Sequence, residues 1–433
     1  MKKYVSIKAV LFCAAMVLFC GACGGRQTAE EATEKNPEEE QIKRVVIGAE
    51  RLLEPAYFPL VKGKNVALVT NHTGLLPDGR HLVDVLHENK DVELKLLFGP
   101  EHGIRGEEDN HVADGKDNST GLPVVSLYGK VRKPTPEMLE GIDVILFDIQ
   151  DVGARFYTYI ATMSHVLEAA AEAGIPYVVL DRPNAIGGKY VDGPVGEKQL
   201  QPIVGVDQLP VVHGMTVGEL AHMFNEERGN EGLPKAALTV VKMENYQRDM
   251  WFDETGLPWV KPSPNMLTLT TAALYPMTCL LEGTNVSEAR GTLHPFEHIG
   301  APWIDGEVLR KKMSSYKLPG VTFAASSFVP ESVVDGIEIY PPKFLGEACF
   351  SAQITLKERE AFESAKAAVY MLDALKELYP DELEWKEKRM DGLWKTQAVR
   401  TQLLEGVSPA EIIGGWQEGL AFFKARRLSC LLY

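Results

Sequence analysis

Residues 94–106 read LKLLFGPEHGIRG and hold the most reactive side chains of the chain. The apolar run at the start predicts a buried strand, which ends at a Gly-Pro pair because proline cannot continue a central strand. Glu101, His102 and Arg105 follow directly. Ligands of open parallel sheets bind beyond the carboxyl ends of the strands, so a carboxyl group and an imidazole placed there are suited to proton transfer. The alternative is that Glu101 caps a helix and His102 is an ordinary loop residue.

Three more apolar runs, at 65–70, 144–147 and 177–180, are each followed by a polar loop: NHTG, DIQDVGARFYTY and DRPN. Helical periodicity between the runs predicts a Rossmann-like, mainly parallel α/β sheet, whose polar loops meet at one edge. The candidates on these loops are Asn71, His72, Asp148, Asp151, Arg155, Tyr157, Arg182 and Asn184. A structural alternative is that Asp151 pairs with Arg155 while the tyrosines pack.

A second polar region spans 256–303, where charged and aromatic residues stand among glycines and prolines with little predicted regular structure. Long segments of this kind in enzymes are usually functional. Its candidates are Asn265, Glu282, Asn285, Glu288, Arg290 and Glu297. His213, before a capping box at Thr216 and Glu219, and the YPPK run at 340–343 are also expected at the cleft.

These residue types suit glycoside hydrolysis, which two carboxyl groups perform without a metal or cofactor. Glu101, beside apolar residues, suits the general acid, with His102 to orient it. The second group would be Asp148, Asp151, Glu282 or Glu288. Aromatic rings and guanidinium groups suit a polyol with an acid group. The spacing does not fix the distance between the carboxyl groups, so retention and inversion both stay open.

Other classes of protein are less favoured. The chain contains no GxGxxG, GxxxxGK[ST], HExxH or GxSxG motif, and its net charge of −15 disfavours nucleic acid as a partner. A metal-dependent hydrolase would use His72, His102 and His213, whereas Asp109, His111 and Asp114 lie in a polar, solvated loop. A non-catalytic glycan-binding protein would use the same cleft without turnover.

The N-terminus reads as a bacterial lipoprotein signal. Three lysines precede a short apolar run, and Gly-Ala-Cys follows, with Cys23 as the lipidated residue. The alternative is cleavage near Ala22 without lipid. Residues 1–22 are thus a predicted signal peptide and 23–43 a disordered acidic tether. We expect a membrane-anchored lipoprotein of a bacterial envelope, on the periplasmic or the surface side.

The remaining chain predicts two domains: a Rossmann-like catalytic domain over 44–302 and a smaller α+β domain over 303–433 that completes the cleft. Strands are expected at 321–328 and 348–355. One long amphipathic helix is expected at 356–379 and a final helix from Ser408 toward Lys424. Cys279, Cys349 and Cys430 are expected as buried thiols.

Several long motifs resemble one known family. They are TNHTG, LFGPEHGIRG, FDIQDVGARFYTYI, LDRPN, HGMTVGELA, WVKPSPNM, EGTNVSEARGT and PFEHIGAPW. They resemble the NamZ-type exo-β-N-acetylmuramidases, from about residue 44 to the end. The resemblance implies a glycosidase that removes N-acetylmuramic acid from the non-reducing end of peptidoglycan fragments in a cleft between two domains, with Glu101 as leading catalytic candidate and no cofactor. Arg155, Arg182 or Arg290 would then bind the lactyl carboxylate. The sequence departs at Ala289, where the family commonly has Gly.

Overall fold

The computed structural model describes residues 43–106, 114–200, 204 and 206–433. The predicted signal peptide, Cys23, nearly all of the tether, and Asp109 and His111 lie outside the described residues. The strands β1 to β12, in chain order, are Asn65–Thr70, Glu93–Gly99, Gly115–Lys116, Pro123–Ser126, Val144–Asp148, Tyr177–Leu180, Leu238–Val241, His298–Ala301, Val321–Phe328, Val333–Val334, Ile337–Glu338 and Cys349–Leu356. The helices α1 to α11 are Gly48–Leu52, Leu82–Glu88, Tyr159–Ala173, Val217–Asn230, Leu269–Thr278, Gly306–Ser315, Ser364–Leu378, Glu387–Trp394, Ala398–Leu404, Pro409–Gly414 and Gln417–Arg427.

The first sheet has the strand order β3-β4-β2-β1-β5-β6-β7. All its pairs are parallel except that of β3 with β4. Strands β5 and β6 are buried along their whole length, as expected where helices cover both faces. This confirms the predicted α/β class. The chain adds strands to one side of β1 and then to the other, so the ligand-binding switch point lies between β1 and β5.

The second sheet is antiparallel, with the order β8-β12-β9. Helix α6 packs on β9 and β12, and α7 packs on α6, which gives the smaller α+β part of the predicted fold. One hydrophobic core runs from Phe98 and Phe147 in the first sheet to Leu372 in α7. The second sheet begins at His298, shortly before the predicted domain boundary at 303, and that boundary stays a prediction.

The capping signals are confirmed at both predicted positions. Thr216 and Glu219 form a capping box that opens α4, and Ser408 and Glu411 form one that opens α10. The three cysteines of the described body, Cys279, Cys349 and Cys430, are buried free thiols, as expected. Within the described ranges, no helix combines the length and the apolar character that crossing a membrane requires.

Three predicted elements differ in the structure. The long helix expected at 356–379 is shorter, because β12 continues to Leu356 and α7 begins only at Ser364. The final helix is two helices, since Gly414 and Gly415 end α10 before α11 begins. The polar region 256–303 contains α5 and β8, although little regular structure was expected there. Pro276 lies inside α5 and β8 has only four residues, so neither element has a clear periodicity in the sequence.

Candidate active site

A cavity of about 570 Å³ opens at the carboxyl edge of the first sheet. Loops after β2 and β5 form one wall, and residues from the α+β part form the other. Seven predicted site residues line it: Glu101, His102, Tyr157, Asn265, Glu282, Glu288 and Arg290. The YPPK run at 340–343 also lines it, as expected. The two polar regions recognised in the sequence therefore face each other across one cavity.

Glu101 lies in a tight turn beyond β2. His102 and Gly103 have φ angles of +69° and +71°, so consecutive residues are in the left-handed region and the chain reverses within the loop. Glu101 Oε2 accepts a 2.8 Å hydrogen bond from the Thr158 hydroxyl. The Tyr128 hydroxyl is hydrogen-bonded to Glu101 as well, and burial and the carboxyl charge raise the pKa of Tyr128. Tyr128 is therefore a neutral donor.

Glu282 and Glu288 are bound by cations. Glu282 pairs with Arg290 at 2.8 Å and with Arg389. Burial alone would raise the pKa of Glu282, but the charges of Arg290 and Arg389 outweigh it and lower the pKa to about 2. Glu288 accepts from Lys343 at 2.9 Å and lies 3.3 Å from Arg290 Nε. Glu282 is therefore a permanent anion near neutral pH.

Glu101 differs from the other two carboxyl groups of the cavity. Its hydrogen-bond partners, Thr158 and Tyr128, are neutral, and no cation of the described chain forms an ion pair with it. Glu282 and Glu288 are held in ion pairs, so Glu101 is the carboxyl group of the cavity lining that is not bound to a cation of the described chain. The geometry therefore favours Glu101 as the group that exchanges protons with a substrate.

Aromatic rings form an apolar wall of the cavity. The Tyr275 ring contacts Tyr157 and Phe296 edge to face, with centroid distances of 5.7 Å and 4.8 Å. Arg290 lies over the Phe296 ring at 4.9 Å. Ala289, with a φ of +61°, occupies the backbone region that favours glycine, which is a physical reason for the glycine usual at this position of the motif.

Two family models match consecutive parts of the chain. The family model described as "Exo-beta-N-acetylmuramidase NamZ, N-terminal" matches residues 66–270. The corresponding C-terminal model matches residues 273–433. The chain belongs to the NamZ exo-β-N-acetylmuramidase family. The resemblance read from the motifs is thereby confirmed.

Similar proteins cover 90% of this chain. The "Peptidoglycan beta-N-acetylmuramidase NamZ" of Bacillus subtilis (strain 168) is 44% identical over 393 residues, which are 90% of this chain and 92% of that protein. Two crystal structures of DUF1343 family proteins from Bacteroides fragilis NCTC 9343 have TM-scores of 0.82 and 0.74. Each is 34% identical and covers 90% of this chain and 99% of its own.

In this NamZ family member, Asp148 and Arg182 bind each other rather than facing the cavity. Arg182 Nε and Nη2 donate to the two oxygens of Asp148 at 2.6 Å and 2.9 Å, and Asp148 has no exposed surface. Arg182 also donates to the Leu75 carbonyl at 3.2 Å, and Thr70 donates to the Asp148 carbonyl at 2.9 Å. The Arg182 side chain thus ties the loops that follow β1 and β6 to the end of β5.

Arg105 and Arg155, predicted to bind substrate, are also committed elsewhere. Arg105 pairs with Asp84 and Asp117, each at 2.8 Å. Arg155 is buried and donates to the carbonyls of Leu209 and Leu393, both at 2.7 Å, and burial lowers its pKa to about 9. Arg155 therefore joins the first sheet to the end of α8, and it does not pair with Asp151 as the structural alternative proposed.

Asp151 and His213 lie together in the interior. His213 Nε2 is 3.8 Å from Asp151 Oδ2, and neither residue lines the cavity. Burial raises the pKa of Asp151 to about 7 and lowers that of His213 to about 3, so both favour their neutral forms.

Two predicted amides hold backbone segments. Asn184 donates to the Met215 carbonyl at 3.0 Å, and Asn285 donates to the Glu382 carbonyl at 2.8 Å. Glu297 accepts from Thr271 at 3.1 Å. None of the three lines the cavity. Their polarity therefore serves loop geometry rather than direct contact with a ligand there.

Asn71 and His72 lie behind the cavity wall and support it. His72 Nε2 donates to the Lys261 carbonyl at 2.6 Å, and burial lowers the pKa of His72 to about 4. Asn71 accepts from Thr73 at 2.6 Å. Tyr159 donates to the neighbouring Pro262 carbonyl at 2.5 Å. These bonds fix the segment that carries Ser263 and Asn265 into the cavity, as positioning contacts.

Several lining residues were not predicted from the sequence: Tyr128, Ser263, Met266, Tyr275, Phe296, Lys386 and Arg389. The aromatic ones read as core positions, and Lys386 and Arg389 read as a solvated helix face. Thr158 stood inside a recognised motif. The Thr158 hydroxyl, next to the predicted site residue Tyr157, was the feature of the sequence that could have indicated a hydrogen-bond donor to Glu101.

Proposed function

We propose that this chain is an exo-acting glycosidase that releases N-acetylmuramic acid from the non-reducing end of peptidoglycan fragments. The observation that carries the proposal is Glu101, a carboxyl group with neutral partners in a cavity whose other carboxylates are bound by cations. Membership of the NamZ family and the β-N-acetylmuramidase activity of the Bacillus subtilis relative support the substrate.

The arrangement supplies the two kinds of carboxyl group that the reaction needs. Glu101 donates a proton to the leaving glycosidic oxygen as the bond breaks. An anion on the other wall stabilises the oxocarbenium-like centre, and Glu282 and Glu288 are the predicted second groups that line the cavity. Asp148 and Asp151 lie away from it. The aromatic wall packs against the sugar ring.

The metal-dependent alternative finds no support in the side-chain arrangement. No cluster of three or more His, Cys, Asp or Glu residues suited to a metal ion occurs in the part of the chain that the structure describes. His72 and His213 lie outside the cavity lining, so the three histidines of that hypothesis do not converge there. The binding-protein alternative shares the cavity and differs only in turnover.

We expect the protein from Lys43 onward to release chromophore from an aryl β-N-acetylmuraminide, but not from the matching β-N-acetylglucosaminide. EDTA leaves the rate unchanged, because carboxyl groups of the chain perform the chemistry. The measurement is initial rate on both substrates, with and without chelator. Binding of the muraminide without release would support the binding protein, and loss of activity with EDTA that zinc restores would support the metal hydrolase.

We propose further that the enzyme is a lipoprotein of a bacterial envelope, anchored through Cys23. The charged start, apolar run and Gly-Ala-Cys sequence support this. A lipid-anchored exo-enzyme on an acidic tether reaches glycan ends away from its membrane. Muramidase activity is expected in the membrane fraction, and Cys23→Ala moves it to the soluble fraction. Equal partition of the two proteins would contradict the anchor.

A further inference from the structure

Two cations at the start of α8 line the cavity. Lys386 immediately precedes the helix and Arg389 lies in its first turn. The backbone N–H of Lys386 donates to the Gly283 carbonyl at 2.8 Å. A Cβ on Gly283 would lie 2.8 Å from the Met390 Cα, so the helix packs directly on the turn that carries Glu282. The position of Lys386 is thereby fixed relative to the site carboxylates.

The charges of the cavity do not balance. Four cations line it, Arg290, Lys343, Lys386 and Arg389, against three carboxyl groups. Arg290 is shared between Glu282 and Glu288 and covers the Phe296 ring. Lys343 uses all three ammonium protons, on the carbonyls of Leu281 and Val286 and on Glu288. Lys343 therefore has no donor left for a ligand, and the charge of Arg290 is already shared between two carboxylates.

Lys386 is the cation that remains. Its ammonium forms no hydrogen bond or ion pair with any residue that the structure describes, although Lys343, Glu288 and Glu282 act on its charge. Arg389 binds Glu282 through Nη2, and its side chain is 45% exposed. A partnerless ammonium beside a half-exposed guanidinium, in a cavity where Glu282 and Glu288 already have cationic partners, is suited to an anionic group of a ligand.

We propose that Lys386, with Arg389 beside it, binds the lactyl carboxylate of the N-acetylmuramic acid unit. The inference rests on the proposed function and names the residue that recognises the one substituent by which muramic acid differs from N-acetylglucosamine. Arg155, Arg182 and Arg290, the candidates from the sequence, are committed to carbonyls or carboxylates of the chain. Lys386 can donate to a ligand without breaking an ion pair within the protein.

The test compares two substrates and three proteins. The substrates are an aryl β-N-acetylmuraminide and its lactyl methyl ester, which keeps the shape but removes the charge. The proteins are wild type, Lys386→Met, and Lys388→Met as a matched control. Lys388 is exposed on the same helix and does not line the cavity. We expect Lys386→Met to lower kcat/KM on the acid by about 10- to 100-fold, because a charge-assisted hydrogen bond is lost.

On the ester, Lys386→Met and wild type are expected to have similar kcat/KM, and Lys388→Met follows wild type on both substrates. An equal loss on acid and ester would overturn the inference, since it would indicate a structural effect. No loss on the acid would overturn it as well.

A binding measurement separates this inference from the proposed function. Calorimetry with free N-acetylmuramic acid and its methyl ester requires no turnover. Binding of the acid that depends on Lys386, in a protein that releases nothing from the aryl muraminide, would retain the recognition and reject the glycosidase. Turnover of the muraminide, with binding of the acid equal in wild type and Lys386→Met, would retain the glycosidase and reject Lys386.

Discussion

Glu101→Gln is expected to lower kcat on a muramyl disaccharide by about 10²- to 10⁴-fold, the usual contribution of a positioned general acid. The amide keeps the size of the side chain and can still accept from Thr158, but it has no proton of suitable acidity to give to the leaving oxygen. KM is expected to change little, because the other contacts with the sugar remain. The measurement is kcat and KM for N-acetylmuramyl-β-N-acetylglucosamine at neutral pH.

The leaving group distinguishes a lost acid from a general disturbance of the site. An aryl leaving group needs less protonation than a sugar hydroxyl, so we expect Glu101→Gln to slow aryl muraminide cleavage less than disaccharide cleavage. Glu140→Gln, at an exposed surface position, serves as the matched control. Full disaccharide activity of Glu101→Gln, at unchanged thermal stability, would exclude Glu101 as the acid.

Glu101 was predictable from the sequence because its signal is local. A short apolar run, a Gly-Pro stop and a Glu-His pair occupy one stretch, and the carboxyl-edge rule for parallel sheets then gives its place. The parallel sheet was also predictable, because short apolar runs alternate with segments of helical periodicity and each of these patterns is local. The pattern did not give the rotation of each loop, and Arg155 and Arg182 therefore turned out to face inward.

The second wall of the cavity was harder to predict. Glu282 and Glu288 stood out as carboxylates in a polar segment, but Lys386 and Arg389 had the pattern of an ordinary solvated helix face. Their role depends on α8 packing against the turn at Gly283, a contact between segments far apart in sequence. Periodicity and capping residues describe single elements. A sequence therefore predicts where a helix begins, as at Thr216, more readily than it predicts which helix packs against a cleft.

The buried pair of Asp148 and Arg182 leads to a second large effect, on stability rather than chemistry. Asp148→Ala is expected to lower the free energy of unfolding by about 3–5 kcal/mol, because Arg182 is left as a buried charge without its partner. Urea unfolding followed by circular dichroism measures the change. Arg182, which also binds the Leu75 carbonyl after β1, loses its anchor at the end of β5, so the site loosens as well.

Two further variants separate the electrostatic cause from mere loss of a side chain. Asp148→Ala combined with Arg182→Met removes both charges, and we expect it to recover much of the lost stability, because no charge is then left unpaired in the interior. Asp78→Ala is the matched control. Its carboxylate binds Arg80 at 2.8 Å, but both side chains are at least half exposed, so water replaces the lost partner and stability changes little.

If the double variant were no more stable than Asp148→Ala, burial of the unpaired guanidinium would not be the cause, and Asp148 would act through the backbone of β5 instead. Muramidase activity in a folded double variant would show in addition that Asp148, once a candidate for the second carboxylate, takes no part in the reaction.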